Sequence, residues 1–228
     1  MLSYENRPAM GQPTTAASDH LPINTPSTTG ITNGTSTSKS QPETKHSHIW
    51  LITGPAGCGK STVAAYIAKA MSLPYIEGDE FHPEANVKKM SEGIPLTDAD
   101  RWDWLTQLRE EAVKRIASGS QGVVVTCSAL KRKYRDVIRV APYYSHDVLV
   151  HFIYLHAREE VLVARVGARK GHYMPASMVH SQFGILEAPG KDETDVISVD
   201  VSGTLEEVEQ DALAKIRDAV KAELVMDS

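Results

Sequence analysis

The eight residues Gly54–Ser61, GPAGCGKS, constrain this chain more than any other stretch, because of what flanks them. HIWLIT at His48–Thr53 precedes them with apolar and β-branched residues of strand character, and STVAAYIAKAM at Ser61–Met71 follows with apolar residues at helical spacing. Strand, glycine-rich turn and helix together are the setting in which this pattern becomes a phosphate cradle. The turn's backbone N–H groups and the positive end of the helix face anionic oxygens. Lys60 is then expected to reach the β and γ phosphates, and the Ser61 hydroxyl to ligate Mg²⁺. The expected nucleotide site comprises Gly54, Pro55, Ala56, Gly57, Cys58, Gly59, Lys60, Ser61 and Thr62, with Cys58 read as a tolerated filler. The chain binds a nucleoside triphosphate; the loop alone does not say to what end.

Composition narrows the partners. A length of 228 residues suits one domain of ordinary size, and a net charge of -5 supplies no basic field for nucleic acid. Two cysteines make neither a disulfide framework nor a metal cluster, which fits a reducing compartment. No apolar run is long enough to span a bilayer, and MLSYENRPAM lacks the order of a secretory signal. Glu5, Asp19 and Glu43 argue against a mitochondrial presequence, so the cytoplasm is expected.

Residues 1–46 are rich in Ser, Thr, Pro, Asn and Gly, and they cannot bury enough apolar surface to offset ordering entropy. They read as a disordered tail, and residues 47–228 as the folded domain. There, strand runs at 48–53, 74–79, 122–127, 148–155 and 195–201 alternate with helical patterns at 61–71, 83–90, 97–118, 131–140, 159–170, 175–187 and 204–224. Thr97/Asp100 and Thr204/Glu207 read as capping boxes. Five strands alternating with helices predict an α/β fold with a five-stranded parallel sheet covered on both faces.

In such a sheet, ligands gather at the carboxyl ends of the strands. EGDEFHP at 77–83 puts Asp79 there, where a carboxylate could take a hydroxyl proton or help hold Mg²⁺, with His82 within reach of a substrate. A plain Gly–Asp turn is the alternative. CSALKRKYRD at 127–136 opens a basic helix in which Lys131 and Arg135 share a face suited to a carboxylate or phosphate, a solvated basic helix being the alternative. RVGARKGHYM at 165–174 carries Arg165 and Arg169, a pair suited to a mobile cover over a transferring phosphoryl group, solvated helix-surface arginines being the alternative. Arg101 could contact ligand, while Asp98 and Asp100 are adequately explained as helix N-terminal charges.

Taken in order, GPAGCGKS, GDEFHP, NVKKM, GIPLTDADRWDWL, CSALKRKYRD, FIYL, ARKGHYM and QFGILEAPG resemble the gluconokinase family from about His48 to the last helix. The resemblance implies a P-loop kinase fold similar to shikimate and nucleoside monophosphate kinases, with a core, a substrate-binding helical segment and a lid. It implies ATP- and Mg²⁺-dependent phosphorylation of D-gluconate at the 6-hydroxyl, feeding the pentose phosphate route. It also implies Lys60, Asp79 and Arg169 as catalytic residues, and Arg165 beside the nucleotide. Asp79, His82, Arg101, Lys131, Arg135, His172 and Gln182 become substrate contacts, with Arg169 and His172 in the lid. Family members are often homodimers, which nothing in this sequence demonstrates. Two other classes stay in view. A different small-molecule kinase is one, although no Gly-Gly pair supplies a shikimate loop; a nucleotide switch is the other, although a guanine-reading NKxD is absent.

Overall fold

The computed structural model describes residues 45–168 and 176–226. Five strands, β1 (Ser47–Thr53), β2 (Tyr75–Ile76), β3 (Gly122–Thr126), β4 (Val148–His156) and β5 (Val196–Asp200), form one parallel sheet in the order β2-β3-β1-β4-β5. The central strand β1 pairs with β3 on one side and β4 on the other, Ile52 opposite Thr126 and Thr53 opposite Tyr154. The strand order reverses at β1, and a crevice opens there at the carboxyl ends.

The helices are α1 (Lys60–Met71), α2 (Glu84–Ser91), α3 (Trp102–Ala117), α4 (Arg132–Arg139), the short α5 (Ala141–Tyr144), α6 (Glu159–Ala168), α7 (Ala176–Ile185) and α8 (Leu205–Met226). Alternation along β1 divides the core: Trp50 and Ile52 pack into the cluster with α1 and α8, whereas Ile49 and Leu51 pack with α3 and α4. Burial on both faces explains why β1 and β3 read as continuous apolar runs rather than alternating ones.

Three segments depart from the expected pattern. The second strand stops at Ile76, and Gly78–Phe81 form a 3-10 turn. A Cβ at Gly78 would lie 1.9 Å from the Thr126 carbonyl oxygen, so the chain must turn where only glycine fits. The helix expected from Thr97 begins at Trp102. Thr97 and Asp100 do exchange the bonds of a capping box, Thr97 N–H and Oγ1 each donating to Asp100 Oδ2 at 2.8 Å, but these close a turn ahead of the helix. The second box holds at its helix, where Thr204 N–H and Oγ1 donate to Glu207 Oε2 at 2.8 Å in front of α8. The lone helical turn of α5 had no signal in the apolar period.

Candidate active site

The turn after β1 begins with Gly54 at φ 140, where a Cβ would sit 2.3 Å from the Leu155 carbonyl oxygen of β4. Only glycine passes there, and the loop curls back to start α1 at Lys60. Lys60 Nζ donates to the carbonyls of Gly54 at 3.0 Å and Pro55 at 3.2 Å, so the cation lies over its own loop.

The loop divides two hollows. On one side Gly57, Cys58, Gly59 and Thr62 face Arg165 and the β5–α8 connection (Val201, Gly203, Leu205, Val208) around about 310 Å³. Arg165 Nη2 donates to the Val201 carbonyl at 2.6 Å, joining α6 to that connection. On the other side Ala56 and Lys60 face Asp79, His82, Met90, Pro95, Leu96, Arg101, Trp104, Ser128, Ser181, Gln182 and Ile185 around about 250 Å³. Lys60, Asp79, His82, Arg101 and Gln182 are thus brought into one cavity from four separate stretches of the chain.

Local folding explains their placement. Gly78 N–H donates to Thr126 Oγ1 at 2.9 Å and its carbonyl accepts from Trp104 Nε1 at 2.8 Å, fixing the turn that presents Asp79. The Asp79 side chain is 59% exposed and lies 3.9 Å from His82 Nε2. The His82 ring stacks on Trp104 at 4.0 Å between centroids, and its side chain is only 4% exposed. Its Nδ1 is buried with no hydrogen-bond partner among the described residues. Burial holds the His82 imidazole below its ordinary value, opposed by Asp79 and reinforced by Arg101, so the ring is neutral near pH 7. Gln182, on α7, accepts the Ala56 N–H at 2.7 Å and ties that helix to the phosphate loop.

Glu77 carries no signal in the chain's apolar period, yet it stands beside Ser61. Burial would raise its carboxyl, but hydrogen bonds from Ser61, Thr126 and Tyr75 outweigh burial and hold it below the usual carboxylate value. Ser61 and Glu77 form an all-oxygen donor pair of the kind that suits Mg²⁺. Among the described residues no group of three or more His, Cys, Asp or Glu could hold a metal by itself.

Two expectations change. Arg135 does not face the cavity: its side chain is 2% exposed and grips Glu193 with Nε at 2.7 Å and Nη2 at 2.6 Å. Its Nη1 donates to the carbonyls of Ala129 at 3.3 Å and Glu187 at 3.1 Å. The carbonyl bonds hold the turn in which Ala129 takes φ 27, left-handed for a non-glycine residue, just after the cavity-lining Ser128. A buried guanidinium must be matched inside the protein, and this one is. Arg135 is therefore withdrawn as a substrate contact. Lys131 is also absent from the cavity wall, because its Nζ pairs with Asp98 at 3.0 Å. Arg169 and His172, and with them most of the expected lid, lie outside the described residues. Cys58 is buried in the loop, and burial raises its thiol above the ordinary value, opposing thiolate chemistry.

Missed from sequence, besides Glu77, were Trp104, Ser128 and Ile185 in the hollow with Asp79 and His82, and the β5–α8 connection in the other. Their types are ordinary core and turn residues, and only tertiary proximity marks them.

A family model described as an AAA domain matches residues 49–184. "Probable gluconokinase" of Schizosaccharomyces pombe is 46% identical over 169 residues, covering 74% of this chain and 87% of that protein. The thermoresistant gluconokinase of Escherichia coli is 40% identical over 161 residues, 71% of this chain and 89% of that one. Among solved structures, a gluconokinase from Sinorhizobium meliloti 1021 superposes with a TM-score of 0.69 at 41% identity, covering 81% of this chain and 98% of the other. With a phosphate loop at the sheet's switch point and relatives matched over most of their length, this chain belongs to the gluconokinase family.

Proposed function

We infer that the two hollows flanking Gly54–Ser61 are the two substrate sites of one phosphoryl transfer, from ATP to the 6-hydroxyl of D-gluconate. Family membership sets the overall reaction as ATP-dependent phosphorylation of gluconate. The assignment of sites rests on one observation: the loop lines both hollows, and the acceptor hollow gathers Asp79, His82, Arg101 and Gln182 beside Lys60.

In this reading the base and ribose lie against Val201, Gly203, Leu205 and Arg165, and the phosphates bend round the loop toward Lys60. Gluconate enters the second hollow. His82 lines the hollow, and a turn of its ring toward a substrate hydroxyl would give the buried, unpartnered Nδ1 the hydrogen bond it lacks. With Lys60 given to the phosphates, Arg101 is the cation of the cavity wall left, among the described residues, for the sugar acid's carboxylate. Asp79 orients the attacking hydroxyl and accepts its proton as the new O–P bond forms and the β–γ bridge breaks toward ADP. Lys60 exchanges the Gly54 and Pro55 carbonyls for phosphate oxygens and offsets charge on the transferring group. Ser61, with Glu77 behind it, would hold Mg²⁺, which supplies charge neutralisation at the phosphates when bound. Arg169 and His172 would close over the site from the lid.

The product, 6-phosphogluconate, would enter the pentose phosphate route. Cytoplasmic residence and pairing of two copies belong to the same reading and are checked by fractionation and by sedimentation at working concentration. No described helix is long and apolar enough to cross a membrane.

The deciding experiment measures ADP release against a panel of sugar acids, with the product's phosphorus position read by NMR. Turnover with gluconate far above that with shikimate or water, and a phosphoryl group at O6, is expected. Equal rates for gluconate and water would sink the assignment.

A further inference from the structure

The outer wall of the acceptor hollow is built by the connection between α2 and α3, residues 92–101, which has no regular structure of its own. Pro95, Leu96 and Arg101 of this connection line the hollow. Something must hold it. Its two aspartates point in opposite directions. Asp100 turns back, accepting from Thr97 and pairing with Lys89 of α2 at 2.6 Å. Asp98 reaches forward to the first turn of α4, where three donors converge on one carboxylate: Lys131 Nζ at 3.0 Å, Lys133 Nζ and the Tyr134 hydroxyl.

Tyr134 connects this contact to the hollow. Its ring is 1% exposed and carries the Arg101 guanidinium at 5.3 Å on its face and Trp102 edge-on at 5.8 Å. Arg101 Nη1 is steadied in turn by the Thr97 carbonyl at 3.0 Å and by the Leu96 carbonyl. The side chain that faces the acceptor is thus oriented by the same residue that Asp98 clamps.

We propose that Asp98 is a positioning residue, whose carboxylate pins the 92–101 wall to the start of α4 and so holds Arg101 in place for the acceptor. The proposal rests on the second hollow being the gluconate site. It gives Lys131 a different role from that expected of it: counter-ion of the clamp rather than ligand of the substrate. Each ion pair alone is partly exposed and individually weak. Three donors from one helical turn on one carboxylate do more, because they fix a connection that would otherwise be ordered only at the expense of ligand binding. The phosphate loop takes no part in the clamp, so the effect falls on gluconate and spares ATP.

The test is steady-state kinetics of the full chain with Asp98→Asn, Asp98→Glu, Lys131→Met and the double variant Asp98→Asn/Lys131→Met. Asp98→Asn is expected to raise the KM for gluconate about tenfold, the scale of one lost charge-assisted contact, with the KM for ATP within about twofold. Asp98→Glu, which restores the charge, is expected to recover most of the loss. Lys131→Met should raise the gluconate KM in the parent and add nothing in the Asp98→Asn background. Intrinsic fluorescence supplies a readout independent of turnover. Trp102, with Lys133 5.8 Å from its ring centre, should change emission in Asp98→Asn, and the change should vanish when Trp102→Phe is added. An unchanged gluconate KM in Asp98→Asn, or a Lys131→Met effect that persists in full there, overturns the clamp. Neither result touches the function itself, which falls only if the parent chain shows no gluconate-dependent ADP release.

Discussion

Two histidine–tryptophan stacks lie at opposite ends of the sheet, and they divide their hydrogen bonds in opposite ways. At the carboxyl end His82 stacks on Trp104; the indole N–H is satisfied by the Gly78 carbonyl and the orphan is His82 Nδ1, on a side chain that lines a cavity. At the amino end Trp50 stacks on both His48 at 5.1 Å and His151 at 4.4 Å, the two imidazoles themselves 5.3 Å apart. There His48 engages both ring nitrogens, its Nδ1 meeting His151 Nε2 at 3.2 Å and its Nε2 lying 3.4 Å from Glu223, and the buried atom with no partner among the described residues is Trp50 Nε1 in the packed core. Both ends lower the pKa of a histidine by burial, so a desolvated imidazole does not by itself mark a site. The difference is what each leaves for a ligand. An unsatisfied nitrogen on a histidine that lines a cavity can be repaid by a substrate hydroxyl once the ring turns toward it, whereas an unsatisfied indole in the core is a standing cost against stability.

Perturbing the two ends should therefore move different observables. The largest effect belongs to Lys60→Ala, expected to lower kcat/KM by about a thousandfold or more with the melting temperature nearly unchanged. A normal rate would remove the phosphate loop from the chemistry. Asp79→Asn should follow, reducing kcat by about a hundredfold or more while ATP binding by calorimetry holds; an intact rate would return Asp79 to the status of a turn residue.

At the amino end, acid is the sharper tool. Burial, partly opposed by the carboxylate of Glu223, lowers His48 to about 4, and burial opposed by Asp195 lowers His151 to about 4. Protons therefore bind the unfolded chain first, from about 6.5 downward. The stability these rings contribute is complete above that value and is lost as pH falls toward 4, by up to about 3 kcal/mol each. Urea unfolding between pH 7 and 4 should show the loss, and His151→Phe should reduce it; a flat profile would contradict the buried neutral pair. The smallest effect is His82→Phe, which keeps the stack on Trp104 and removes the orphan. It should raise the gluconate KM about tenfold while holding or slightly raising the melting temperature. A drop in stability with no change in KM would put His82 in the same class as His48.

Much of this fold was readable because its signals are local. The phosphate loop declares itself through glycines that only one backbone path permits, and β1 and β3 through apolar runs that need cover on both faces. Asp79 and His82 could be placed by the cavity because the turn that carries them follows β2, although the strand itself ends at Ile76. Arg135 misled because an i, i+4 pair of cations shares a helical face without revealing what that face meets; Glu193, 58 residues onward, fills it. Asp98 was hidden for the same reason in reverse. Next to Thr97 and Asp100 it reads as charge at a helix start, and its actual partners on α4 lie 33–36 residues away. Glu77 was obscured by the glycine and aspartate after it, which carry the motif while the glutamate meets the Ser61 hydroxyl.

The central claim is that the cavity beside Lys60 receives gluconate and that His82 is its unmet polar group. Nitrogen NMR of histidine-labelled protein, titrated with gluconate and assigned by His82→Phe, His48→Gln and His151→Phe, tests it most directly. The ring signals of His82 should move as gluconate saturates, to a state in which Nδ1 is hydrogen-bonded, while those of His48 and His151 stay in place. A saturating titration in which His82 does not move would contradict the account.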